Sequence, residues 1–353
     1  MSLAVLIPAI TSLLALALAL ALFDQWRSRR RAYQLVWALG ISFFGIASGC
    51  EAIAAAAGWN EPLYRTWYLF GAVWTAGWLG LGTAFLLGRT RFGYAFALCL
   101  FLAGLFTFLT WRRYQYEGSG NAPILYFVAA GILALAVAVE TYFQNERWPR
   151  IAALGVVGAT ILSAALMVVT PIAPPGYALD PETGIPVGDL FPGTLRLLTP
   201  FLNITGGFAL ALGALFSAYV FMPKRRVLPY SLDPLQSFDS FLFNLFIAPV
   251  AISVNFVASL PTAIGALLAG RLHSRVPATL LIAAGALIAS GTDSLNRFGS
   301  TELFQLGKLA AIVFLLAGFL ISIEVFAELR LPFTRLRLGP RTERVADEPA
   351  ARG

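Results

Sequence analysis

Histidine is almost missing from this chain: His273 is the only one in 353 residues. A histidine-ligated haem, zinc or copper centre therefore has almost no ligands to draw on, and a nucleophile–histidine–carboxylate triad has a single place to be. Cysteine is nearly as scarce. Cys50 and Cys99 both fall inside apolar runs and form neither a disulfide framework nor a CxxC pair. Lys224 and Lys308 are the only lysines. Charge of either sign is low, at 12% of residues against 58% hydrophobic. So few charges cannot cover the surface of a soluble domain of this size. No P-loop, Rossmann fingerprint, HExxH or nucleophile elbow occurs, and no cofactor or metal is expected.

What the chain does have is a series of apolar runs of about 20 residues, the length that crosses a hydrocarbon core. Backbone polar groups must be paired internally in lipid, so such runs are helices or closed barrel strands. These runs are long and continuous rather than alternating, which selects helices. The expected fold is all-α: a polytopic helical membrane protein with about nine transmembrane helices and one broken or re-entrant element. The spans are read at Met1–Phe23, Tyr33–Ala57, Trp67–Gly88, Phe92–Thr110, Pro123–Tyr142, Ile151–Thr170, Phe201–Met222, Pro277–Gly291 and Lys308–Ala327. The first could pass for a signal peptide, but its basic residues, Arg27 and Arg29 to Arg31, follow it rather than precede it, so it reads as a retained span.

The net charge is +7, carried mainly by arginines clustered in short loops between apolar runs. That pattern is the positive-inside signature, not a nucleic-acid footprint. It places the N-terminus outside and the C-terminus in the cytoplasm of, most naturally, a bacterial inner membrane. The run from Ser237 to Arg275 is too long for one plain span, and Pro249 and Pro261 interrupt it. One crossing there would put Arg271, Arg275 and the arginine-rich tail outside. The charge pattern therefore predicts that the chain dips in and returns to the inner side. Residues 1–222 then form a seven-helix bundle, 223–236 a cytoplasmic connector, 237–329 the broken element and two more spans, and 330–353 a basic tail, partly disordered.

Candidate site residues follow from polar or aromatic groups in apolar surroundings. Glu51 lies about two turns from the end of its span, where a carboxylate is costly and marks either a proton or cation site or an ion pair with a loop arginine such as Arg65 or Arg196. Ala72, Ala76, Gly80, Ala84 and Gly88 form a ridge of small residues at four-residue spacing, which suits tight helix packing. Trp74 and Trp78 run beside that ridge and could line a ligand cavity or simply pack. Asn203 stands near the outer end of its span. Ser253, Asn255, Ser259 and Thr262 form a polar cluster at the predicted break, either a transport site or interhelical glue. The proline-rich loop 171–200 reads as an outer lid; Asp180, Glu182 and Asp189 lie in it, at a spacing that matches no calcium-binding loop.

Trp26 to Arg91 runs as a basic turn, a small-residue helix, a Trp-rich loop and helix, and an arginine turn. That order resembles the seven-helix sensor module of some bacterial histidine kinases, although no output domain follows the last apolar run, and no family is assigned on it. The leading functional expectation is a permease or channel-like transporter of a small molecule or ion. The alternatives are a non-catalytic membrane sensor, accessory or assembly subunit, and a membrane-embedded lipid-modifying enzyme. The expected partners are the lipid bilayer, a small apolar or weakly polar ligand or ion, and a second membrane protein, with no nucleic acid.

Overall fold

A computed structural model describes residues 2–143, 146–172, 177–179, 190–231, 238–297 and 301–322; for 238–240, 293–297 and 301–302 only the backbone is described. The regular elements among these residues are all helical. They are α1 (Leu3–Arg29), α2 (Ala32–Ala57), α3 (Glu61–Trp67), a π-helical turn (Tyr68–Trp74), α4 (Thr75–Leu86), α5 (Gly93–Tyr114), α6 (Ala122–Tyr142), α7 (Trp148–Val169), α8 (Gly193–Phe221), α9 (Phe238–Leu268), α10 (Arg275–Arg297) and α11 (Thr301–Ile321). Counting Glu61–Leu86 as one continuous stretch, ten helices among the described residues are long and apolar enough to cross a membrane. This is one more than the nine expected, and the tenth is α9.

The helix ends follow local chemistry. α1 stops where Arg30 adopts a left-handed backbone and its N–H caps the Trp26 carbonyl. Gly58, at φ +86°, ends α2, and the Asn60 side chain accepts from Leu63 N–H to start α3. Pro123 and Pro149 sit in the first turns of α6 and α7, where a missing N–H costs nothing. α8 begins at Gly193 and runs through Pro200, so the loop expected to reach residue 200 ends eight residues earlier, at Pro192.

The small-residue ridge packs as its spacing predicts. α4 crosses α8 so closely that a Cβ added to Gly80 would lie 2.5 Å from the Cα of Gly206. The α1, α2, α8, α10 and α11 side chains share one apolar core, with Leu22, Ile41, Ile312 and Phe319 fully buried. A second core joins α4 to α8, around Phe96, Trp148 and Leu202.

The broken element is not broken. α9 is one uninterrupted helix of 31 residues, with Pro249 and Pro261 both inside it. At 1.5 Å per residue it is about 46 Å long. A proline in a helix removes one N–H and crowds one carbonyl, but the remaining ladder can carry the helix past it. Nor does the segment dip into the bundle. Near its start, Phe241 packs against Tyr94 and Tyr142, at centroid distances of 5.6 and 5.4 Å. At its middle, Asn255 holds the connector at Val227 and Leu228. Towards its end, Ala263 packs with Met222 and Val276. All of these partners lie where α5, α6, α8 and α10 begin or end at one and the same end of the bundle. α9 therefore lies across that end, and the chain leaves and re-enters the bundle there.

The turns at this end carry Arg29 to Arg31, Arg89, Arg91, Arg147, Arg150, Lys224 to Arg226, Arg271 and Arg275. We call it the arginine end. Cysteines placed at Ser231 and His273 are expected to react with an impermeant thiol reagent from the same side of sealed vesicles, and one at Gln115 from the other. Labelling of Ser231→Cys and His273→Cys from opposite sides would overturn the arrangement.

Candidate functional site

The carboxylate of Glu51 is the most constrained polar group in the bundle. α2 carries it into the interior, α3 brings Trp67 alongside, and α11 supplies Gln305 and Lys308. Trp67 Nε1 donates to Oε1 at 2.6 Å. Gln305 Nε2 and Lys308 Nζ donate to Oε2 at 3.0 and 2.7 Å. The Glu51 and Lys308 side chains are only 6% and 9% exposed. Lys308 Nζ also stands 5.3 Å from the ring centres of both Phe44 and Phe304, so its remaining face meets aromatic π clouds. Chemically this is a closed ion pair. Both charges are compensated, and only the far amide oxygen of Gln305 is left without a partner.

The expected partners of Glu51 are engaged elsewhere. Arg65 pairs with Glu61 at 2.8 Å and donates to the carbonyls of Met167 and Thr170. The Arg196 guanidinium lies 4.4 Å above the Tyr116 ring. Sequence reasoning passed over Lys308 because it sits near the start of an apolar run and reads as an interfacial charge. Its signal was that it and Glu51 are isolated opposite charges, each set in an apolar stretch.

The remaining candidates do not join Glu51. Trp74 Nε1 donates to Ser163 Oγ at 2.9 Å and Trp78 Nε1 to Thr160 Oγ1 at 3.0 Å, both on α7. Phe43 of α2 packs against both rings, at 5.2 and 5.8 Å. The tryptophan stripe thus packs in a helix seam between α2 and α7. Asn203 Nδ2 donates to the Ala72 carbonyl at 2.8 Å, inside the π-helical turn, where widening of the helix disturbs the usual backbone pairing.

The cluster on α9 lies at the arginine end, away from Glu51. Asn255 is fully buried and both ends of its amide are engaged: Oδ1 accepts from Val227 and Leu228 N–H at 2.7 and 2.9 Å, and Nδ2 donates to the Leu228 carbonyl at 2.8 Å. Ser259 Oγ accepts from Arg225 N–H and donates to its own helix. Together they clamp the extended connector along α9. Ser253 Oγ turns back to the Pro249 carbonyl, and Thr262 is exposed. The face turned inwards is small and polar, with Ala248, Ala251, Asn255, Ser259 and Ala263; Phe243, Phe246, Val250 and Val257 point outwards.

At the end opposite the arginines, Tyr64 stacks on Phe191 at 5.5 Å and 3°, and Tyr177 and Leu190 pack nearby. The described parts of the proline-rich loop therefore cover α3. Asp180, Glu182 and Asp189 lie outside the described residues. Near the arginine end, burial and then the Arg275 guanidinium hold the imidazole of His273 below its ordinary pKa, which keeps it neutral at pH 7. The positive charge there belongs to arginine and lysine.

No protein-family model matches the chain, and neither a characterised protein nor a solved structure resembles it significantly.

Proposed function

We propose that the chain is a non-catalytic multi-pass membrane protein, a sensor or accessory subunit, set in a bacterial inner membrane with its arginine end in the cytoplasm. The observation that carries this reading is the closure of the polar groups on which a transport path would depend. Glu51, Trp74, Trp78, Asn203, Asn255 and Ser259 each have a protein partner. A permease needs carbonyls or side chains that face its substrate, usually at a discontinuous helix. Here the helix that was to be discontinuous is whole. An enzyme needs converging acids, bases or nucleophiles, whereas the buried carboxylate of Glu51 is spent on Lys308, Trp67 and Gln305.

The orientation follows from the arginine-rich turns, since basic residues in short loops favour the cytoplasmic face. α9 then rests along the inner leaflet, its outward apolar side against acyl chains, as interfacial helices do.

In sealed liposomes, the reconstituted protein is expected to move neither protons nor small ions above the rate of protein-free vesicles. A photo-crosslinker at Arg226 in intact cells is expected to give one discrete protein adduct. A flux that Glu51→Gln abolishes would restore the permease reading, and a crosslinker that captures no protein counts against the accessory role.

A further inference from the structure

We propose that a cleft at the arginine end binds the phosphate-bearing headgroup of an anionic phospholipid. The cleft has a volume of about 540 Å³. Arg29 and Arg31 reach it from the α1–α2 turn, Arg89 from the α4–α5 turn, Arg150 from α7 and Arg275 from the start of α10. One carboxylate, Glu146, shares the space and is held by Arg89 at 3.1 Å in a solvent-exposed pair. Among the described residues, Arg31 and Arg150 form no ion pair. Arg31 and Arg150 bring positive charge to the cleft that Glu146, already held by Arg89, does not offset, and an anion placed between them relieves the repulsion. Guanidinium is also the side chain best shaped for phosphate, since its planar fork donates two parallel hydrogen bonds.

The cleft is built, not incidental. Trp148 is buried, and its Nε1 donates to the Gly88 carbonyl at 2.9 Å, tying the turn that carries Arg89 to the helix that carries Arg150. Pro149 lies so close to Gly88 that an added Cβ would meet it at 2.9 Å. The Arg275 guanidinium is seated 4.2 Å over the Phe221 ring. The source of the phosphate follows from the walls. Phe85 and Leu86 line the cleft beside the arginines, at the end of membrane-length helices. A basic pocket between helices with an apolar flank takes a headgroup and the first part of its chains. The cleft at the opposite end, around Trp111 and Tyr116, is lined by one arginine, Arg112. The inference does not depend on the sensor reading, because the same cleft would serve a transporter.

The test uses the full-length chain in mild detergent and native mass spectrometry with added phosphatidylglycerol or phosphatidylcholine. Phosphatidylglycerol is expected to remain bound under conditions that strip phosphatidylcholine. Arg31→Gln with Arg150→Gln should weaken phosphatidylglycerol binding about 25-fold, from roughly fivefold for each arginine near a charged surface. Arg112→Gln with Arg113→Gln, at the other end, should leave it unchanged. If the double variant loses its thermal unfolding transition, Arg31→Gln alone, at an exposed position, should still show the fivefold loss. Equal retention of both lipids, or variants that bind as the wild type does, would overturn the proposal. Displacement of phosphatidylglycerol by glycerol phosphate at equal concentration would show that the ligand is a soluble phosphate and overturn the lipid assignment.

Discussion

Lys308→Met is expected to destabilise the folded protein by about 3–5 kcal/mol, the usual cost of removing one partner from a buried ion pair. The substitution fits the space of the stem but leaves Glu51, 6% exposed, with only the Trp67 and Gln305 donors. Glu51→Gln should cost less, because the stranded ammonium keeps the faces of Phe44 and Phe304. The double variant Glu51→Gln/Lys308→Met should recover much of the loss, since neither charge is then buried alone. Equilibrium unfolding in mixed micelles measures all three. Strict additivity of the two single changes would mean that the pair is not coupled, and that the distance between the two residues carries no energetic weight.

Gly206→Ala is expected to lower stability by about 3 kcal/mol or more, at the upper end of what overpacking costs. An added Cβ at Gly206 falls on the carbonyl of Ala76 and on the backbone of Gly77, and backbone cannot swing aside as a side chain can. The sign is the test. In an open helical position, alanine is more favourable than glycine by about 0.5–1 kcal/mol. Gly158→Ala and Gly265→Ala, where the new Cβ meets nothing within 4 Å, should therefore be neutral or stabilising. If Gly206→Ala behaves like these controls in a thermal unfolding assay, α4 and α8 do not cross as closely as described. The ridge matters beyond packing, because the same seam sets Asn203 against the carbonyl of Ala72.

That ridge was legible in the sequence because helical spacing is a local property: small residues every four positions share one face wherever the helix goes. The partner of Glu51 was not. It lies 257 residues away along the chain, and nothing in either apolar run specifies which helix will stand beside which. The tryptophans were visible as a stripe, but whether their indoles face a cavity or a seam depends on hydroxyls of α7, Ser163 and Thr160, that only packing brings near. The α9 cluster shows the opposite error. Two prolines and four polar groups looked like a break, whereas the prolines are absorbed by the helix and two of the polar groups, Asn255 and Ser259, hold the connector.

The amino-acid sequence alone determined that this is a helical chain with runs long enough for a membrane, where most of those runs begin and end, and that its arginines gather in particular turns. These are consequences of hydrophobicity, backbone pairing and residue spacing, each read within some twenty residues. The tertiary structure decided that α9 is whole and lies across the arginine end, that Glu51 answers to Lys308, and that five arginines from four separate places in the chain converge on one cleft. Those outcomes depend on which distant surfaces meet, and that is chosen by the packing of the whole bundle.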